Sequence, residues 1–390
     1  MNAAISYLNY PQPTRHEVLM VAAASSMADN LKEDQTWQGV VEFTTLYMVM
    51  VKGWLLYTHH YTSRFEESSL LHTFVLFFFL LGMASSNVNA GYDTARMFSL
   101  SVVLQRVALL CMLVPIMFCL ERARYFCAVY SSVVAGSTLL FFVAAILPDR
   151  APILWAVIAC SEHFLEFWVP HFIPGDKLVP VNIDHTQDRL GVLVMVMLGE
   201  TVISATITYR ELDHHSNAGD GSRYYVVLML SFLLIFMFMQ LFFNAQPAPK
   251  DSALRRSRTL GSILVILNKT LGLTLLLIGV SIKIAVEAVT EGEDLNRFAA
   301  HLLCIGVGFS MLIILGMRAC HYGGKLPRPT DPPYVQRLMV IWWILVGVVS
   351  FVPFLFIGFR DPVVALAMQS GLLVILLSLK LGSRMFSMTL

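Results

Sequence analysis

Charge is what this sequence has least of. Asp, Glu, Lys and Arg together make up 14% of 390 residues, where soluble domains carry about 25%. Neither sign dominates: 27 basic and 26 acidic residues leave a net charge of +1, which gives no field to recruit nucleic acid or acidic partners. Cysteine is sparse, at six, and no two form a Cys-x-x-Cys pair. A disulfide scaffold, a zinc ribbon and a thiol redox motif are therefore excluded. Most of the six (Cys111, Cys119, Cys127, Cys160, Cys304 and Cys320) sit within or beside apolar runs and read as small hydrophobes. The first sixteen residues lack a basic start followed by a cleavable apolar core, so a secretory signal or Arg-rich transit peptide is not expected. Long polar stretches are missing too. The longest connectors, 173–187, 209–223, 245–258 and 319–333, are too short to fold as extramembrane domains, and none is a Gly-rich phosphate loop. No HExxH or other zinc spacing and no Ser/His/Asp order is present. Neither a metal nor a cofactor is expected.

What is abundant is apolar surface. Hydrophobic residues other than glycine account for 57% of the chain, more than a soluble fold of this size can bury. The chain is expected to be an all-α, polytopic transmembrane helix bundle. A crossing needs about 20 mostly apolar residues. Twelve windows qualify, at 16–31, 38–60, 69–89, 98–120, 126–147, 151–172, 188–208, 224–244, 259–288, 297–318, 334–358 and 361–382. The first is the weakest, since it is short and ends on Asp29; the ninth is long enough to tilt. None shows the alternation of a membrane β-barrel. Lysines and arginines of the even-numbered loops and both termini number sixteen, against seven in the opposite loops. The positive-inside rule then puts both termini on the cytoplasm-equivalent side, in a membrane whose identity the sequence does not state.

Ionisable residues at membrane depth cost about 2.5–3.5 kcal/mol each on insertion scales, so they mark function by default. Ten are the candidates: Glu42, Lys52, Arg106, Glu162, His163, Glu166, Glu200, Lys269, Lys283 and His301. Glu162 and Glu166 are four apart in Ser161-Glu162-His163-Phe164-Leu165-Glu166 and share one helix face. Two such carboxylates cannot both ionise cheaply without a cation. They suit a proton relay or cation site, or else pair with Arg106 or Lys269 purely as structural glue. In the seventh window His185, Asp188 and Arg189 lie at i, i+3 and i+4, and Glu200 follows Arg189 by about three turns. That stripe reads as the inward face of the bundle, with Gly191 and Gly199 permitting close helix approach. Trp54, Tyr57, His59, His60, Tyr61 and Arg64 read as an interfacial anchor belt. His214 and His215 sit in a polar loop.

His185-x-x-Asp188-Arg189-x-Gly191, an apolar stretch and then Leu198-Gly199-Glu200 resembles the hallmark of the bacterial low-temperature-requirement A (LtrA) family, with Asp188 where glutamate is more usual. Three further segments fit the family's pattern in order: Thr14-Arg15-His16-Glu17, Trp54 through Tyr61-Thr-Ser-Arg64-Phe65-Glu66, and Phe98-Ser-Leu-Ser with Arg106. The resemblance spans roughly 14–320. One departure stands out. The family's first helix usually begins Glu-Leu-Phe-Phe-Asp, whereas this chain has Glu17-Val18-Leu19-Met20-Val21. The resemblance implies a multi-spanning bundle with a membrane role connected to growth conditions, without a substrate or reaction.

Short echoes, such as Arg15-His-Glu-Val-Leu-Met-Val with Arg189-Leu-Gly-Val-Leu-Val-Met, suit an internal duplication or chance similarity among apolar segments. A duplication would give two parallel six-helix halves, 1–172 and 173–390. Two functions compete. One is a permease for a proton, ion or small solute, with Glu162, His163, Glu166, His185, Asp188, Arg189 and Glu200 as binding residues and Arg106 and Lys269 as charge partners. The other is a non-catalytic accessory subunit, with homo-oligomeric or membrane-complex partners in the bilayer and none among nucleic acids. An intramembrane lipid enzyme would need a nucleophile or metal cluster that the sequence does not display.

Overall fold

The computed structural model describes residues 15–65, 70–213, 221–247, 251–321 and 333–388. Among them no strand occurs, as expected where lipid leaves the backbone no partner but itself. The helices are α1 (Arg15–Glu33), α2 (Trp37–Leu55), α3 (Leu70–Val88), α4 (Ala95–Cys119), α5 (Arg124–Ile146), α6 (Ala151–Phe172), α7 (Ile183–Asp213), α8 (Gly221–Ala245), α9 (Ala253–Arg256), α10 (Arg258–Glu291), α11 (Arg297–Cys320), α12 (Pro333–Phe351) and α13 (Pro362–Met388). From Leu56 to Thr62, α2 continues as a π-helical turn.

Each of the twelve apolar windows coincides with a helix. Eight helices, with their flanking turns, have the length and apolarity of a span: α2, α3, α4, α5, α6, α8, α10 and α11. Shorter apolar stretches, Trp343–Phe356 and Pro362–Ser378, fall on α12 and α13. Of the other three, α9 is only four residues long, and α1 and α7 carry more charge, α1 at Asp29, Lys32 and Glu33 and α7 at Asp184, Asp188 and Arg189. The protein is thus a multi-pass integral membrane helix bundle, with eight helices among the described residues long and apolar enough to span, against the twelve crossings expected from the sequence.

The chain divides into two compact units, one formed by residues up to Met27 with Val40–Val196, the other by Ala28–Gly39 with the chain from Met197 onward. In the first unit α4 packs between α3 and α5. Large apolar side chains on the outer face of α3, among them Leu70, Phe74, Phe77 and Val88, are exposed and suited to acyl chains. In the second unit α10 lies against α8 and α11, and 78% of its apolar window is buried. Its 34 residues reach about 50 Å at 1.5 Å per residue, well beyond a hydrocarbon core of about 30 Å, so it tilts or protrudes. Ser257 caps its start by accepting the Leu260 N–H at 3.1 Å, and Gly292, at φ +74°, ends it in the left-handed conformation.

Close helix contacts fall elsewhere than expected. A Cβ built on Gly191 or Gly199 meets nothing within 4 Å. On Gly82 it would come within 2.7 Å of the Gln105 backbone nitrogen, on Gly53 within 2.5 Å of the Gln105 amide, and on Gly279 within 2.9 Å of Thr201 Oγ1. Gln105 of α4 therefore fits between the backbones of α2 and α3 because both offer a glycine.

Candidate functional site

On α6 the buried positions are Ala151, Trp155, Ile158, Ala159, Glu162, Glu166 and Val169, a stripe at helical spacing that carries both carboxylates inward. Trp155 Nε1 donates to Ser99 Oγ at 2.9 Å, and Arg106 Nη2 meets Glu162 Oε2 at 3.1 Å. Ser99 and Arg106 are two turns apart on α4, as Trp155 and Glu162 are on α6, so the two helices run in the same direction at this contact. One turn further along α6, Glu166 Oε2 receives Lys52 Nζ of α2 at 3.1 Å. Both ion pairs are buried on both sides, no side chain more than 4% exposed.

Each carboxylate thus has its own cation, and each cation comes from a different helix. Arg106 was foreseen as a partner; Lys52 was counted among the buried charges without an assignment. Removing one member of such a pair strands the other in low dielectric at a cost of about 3–5 kcal/mol. Arg106 keeps polar atoms in reserve, since its Nε and Nη1 have no hydrogen-bond partner among the described residues. His163 lies on another side of α6, half-buried, its Nδ1 at 2.6 Å from the Ala159 carbonyl oxygen.

The end of α2 corrects the anchor-belt expectation. Trp54, Tyr57, His60 and Tyr61 are buried, and His59 and Arg64 half-buried. The π-helical turn gathers aromatic partners inside the first unit. His72 of α3 stacks on Tyr61 at 5.6 Å with its Nδ1 3.3 Å from the Tyr61 hydroxyl. His60 lies 4.6 Å from the Tyr130 ring of α5. Arg64 places its guanidinium 4.5 Å over Phe126 and donates to the Val179 carbonyl. Burial pulls the Arg64 guanidinium down to about 10, which leaves it charged at neutral pH.

This turn also receives the start of α7. Asn182 donates its backbone N–H to the Ser63 carbonyl at 2.8 Å and caps α7 by accepting the His185 N–H at 3.1 Å. His185 Nε2 lies 3.2 Å from Thr62 Oγ1. Arg189, one turn on, lines a narrow crevice with Trp54, Thr58, His59, Thr186 and Leu190. Asp188 is exposed. His185 and Arg189 therefore meet the end of α2, while Asp188 points away.

The structure gathers Arg106, Glu162, His163, Glu166, His185 and Arg189 into the first unit, where Asp188 also belongs. Glu200 and Lys269 belong to the second. Glu200 is 2% exposed and next to Thr201, which packs on Gly279 of α10. Lys269 is fully buried in α10 beside Asn268, whose side-chain amide donates to the Leu264 carbonyl.

Sequence reasoning missed a second charge ladder. Lys283 Nζ meets Asp29 Oδ1 at 2.7 Å and Glu287 Oε1 meets Lys32 Nζ at 3.2 Å, joining the end of α1 to α10 within the second unit. The signal was there: Asp29 and Lys32 are three apart, Lys283 and Glu287 four apart, with opposite signs in order. His214 and His215 lie outside the described residues, as do the side chains of Arg15, His16 and Glu17. Among the described residues no three His, Cys, Asp or Glu side chains are grouped to hold a metal ion.

The family model for "Bacterial low temperature requirement A protein (LtrA)" matches residues 18–380. The match runs past residue 320, where the resemblance read from motifs stopped, and begins just after the Thr14–Glu17 segment. Comparison with curated proteins and with solved structures gives no match.

Proposed function

This chain belongs to the bacterial low temperature requirement A family, and from that premise we propose that it is a permease moving a proton, an ion or a small solute across the bilayer. The observation that carries the reading is the pair of ion bridges on α6, Arg106–Glu162 and Lys52–Glu166, buried one turn apart and each closed by a different helix. Charge is costly at this depth, and a bridge between separate helices opens when one helix moves. A proton or cation can then replace Lys52 or Arg106 on the carboxylate, and the helices close again when it leaves. Glu200 supplies a further buried carboxylate, with His163, His185, Asp188, Arg189 and Lys269 as accompanying polar groups. The reading treats 1–172 and 173–390 as two parallel six-helix halves, an arrangement many secondary transporters use. It also places both termini on the cytoplasmic side, following the sixteen-to-seven excess of Lys and Arg.

The test is flux into proteoliposomes for wild type, Glu166→Gln and Glu200→Gln across a panel of cations and imposed pH gradients. The expected result is a flux that falls at least tenfold in one or both variants. Equal flux in all three would remove these carboxylates from the mechanism.

A second reading is favoured by the fact that both α6 carboxylates are already neutralised. On it the bridges lock the helices of an accessory subunit that docks in a larger membrane complex. Gentle detergent purification separates the two: a subunit comes out with stoichiometric partners, a permease alone or as copies of itself.

A further inference from the structure

The ionisable side chains buried around α6 are held in bridges, and one buried imidazole beside them is not. His60 is 3% exposed, and neither of its ring nitrogens has a hydrogen-bond partner among the described residues. A neutral imidazole always offers one N–H and one lone pair. Unsatisfied polar groups in a native interior are uncommon enough to require a reason.

The π-helical turn explains how His60 comes to be there. In an α-helix the residue seven positions on returns to nearly the same face, so an unbroken α2 would bring His59 under Lys52. The turn from Leu56 to Thr62 takes up about one residue more than an α turn, and His60 falls on the Lys52 stripe instead. Burial follows the same register, with His60 enclosed and His59 left half-buried at the Arg189 crevice. Such turns concentrate at functional sites. The charged and titratable groups that face His60 are Lys52, His59 and Arg64 from its own helix, Glu166 from α6 and Tyr130 from α5.

We propose that His60 is a proton-accepting station of the first unit, exchanging a proton with Glu166 as the Lys52–Glu166 bridge opens and closes. This rests on the permease reading and names the proton as the species moved. In the closed bridge Glu166 is a carboxylate held by Lys52, and His60 is neutral. A proton arriving from water makes Glu166 a carboxylic acid and releases Lys52. The acid passes that proton to the ring lone pair of His60, which forms an imidazolium, and the regenerated carboxylate closes again on Lys52. Loss of a proton from the imidazolium to water restores the neutral ring. One O–H and one N–H bond form and break in turn, and one proton enters for each that leaves. Imidazole suits the step because its ring nitrogens offer both a lone pair to accept a proton and an N–H to release one. The crevice at the neighbouring His59 is too narrow for an organic solute.

Two measurements on the full-length protein test the proposal. The first is proton flux into liposomes under an imposed membrane potential, read with an entrapped pH dye, for wild type, His60→Gln, His60→Asn and the exposed control His171→Gln. The expected result is a loss of at least tenfold in both His60 variants, with normal folding by circular dichroism, and wild-type flux in the control. The second is the titration of His60 by nitrogen-15 histidine NMR in wild type and in Glu166→Gln, which needs no transport. The expected result is reversible protonation of His60 that shifts when Glu166 is replaced. Wild-type flux in a folded His60 variant overturns the proposal and leaves the permease reading standing. A wild type that moves no protons overturns the proposal and leaves the permease reading standing for another ion or solute, whereas a wild type that moves nothing across the panel of cations, solutes and pH gradients overturns the permease reading itself. A His60 that never protonates between pH 4 and 9, or whose titration ignores Glu166, overturns the proposal whatever the flux.

Discussion

Arg106 and Glu162 show what a membrane interior demands of a charged residue. Neither side chain is more than 3% exposed, and their 3.1 Å contact is what makes either tolerable. Arg106→Met should leave Glu162 buried without its cation and cost about 3–5 kcal/mol. The double replacement Arg106→Met with Glu162→Leu should return to within about 1 kcal/mol of wild type, since removing both charges removes the desolvation penalty as well. Thermal unfolding in detergent checks both. A second residue-scale prediction concerns His321, which accepts the Ala253 N–H at 3.2 Å through Nδ1 and is held by burial well below the usual histidine range, at about 4. Between that value and an ordinary unfolded value of about 6.5, the unfolded chain binds a proton that the folded chain does not. Stability should therefore fall as pH drops from 6.5 towards 4, and His321→Asn should flatten that slope in melts across the range. At this scale the sequence was informative about which residues matter and poor at pairing them. Glu162 and Glu166 announce themselves as carboxylates on one face of an apolar helix. That Lys52 closes on Glu166 depends on which helices are neighbours, and spacing along one helix holds no record of that.

Among the elements, α2 and the glycine contacts carry the most information. Every apolar window became a helix, because twenty apolar residues in lipid have no other way to satisfy their backbone. The π-helical turn after Leu55 was not legible: the Trp54–Arg64 cluster has the composition of an interfacial belt, yet Trp54, Tyr57, His60 and Tyr61 are buried. Gly191 and Gly199 were read as contact points for the same reason that any glycine in a span is, yet among the described residues an added Cβ there meets nothing within 4 Å. Gly82, unremarked in the sequence, faces the Gln105 backbone at 2.7 Å from an added Cβ, and backbone cannot swing aside. Gly82→Ala should therefore destabilise by about 1–3 kcal/mol through overpacking. Gly191→Ala and Gly199→Ala should be neutral or stabilising by up to about 1 kcal/mol, the ordinary helix preference for alanine. Parallel melts of the three variants decide it, and an equal loss at all three positions would contradict the packing described for α3 and α4.

For the whole molecule, the distribution of Lys and Arg predicts that tags at the two ends are protected or cleaved together in sealed vesicles, and in intact cells react only after permeabilisation. Opposite accessibility of the ends would overturn the orientation. The parallel run of α4 and α6 is what alternating crossings of α4, α5 and α6 require. The central claim is that the buried bridges of the first unit work in transport as well as holding helices. Single variants cannot separate the two roles, because each strands a charge. Replacing the whole bridge can: Lys52→Met with Glu166→Leu keeps the volume and removes both charges, so the fold should survive with little change in its melting temperature. Flux through proteoliposomes of that double variant is the most direct measurement. The account predicts a folded protein whose flux has fallen at least tenfold below wild type; a folded double variant with wild-type flux would contradict it.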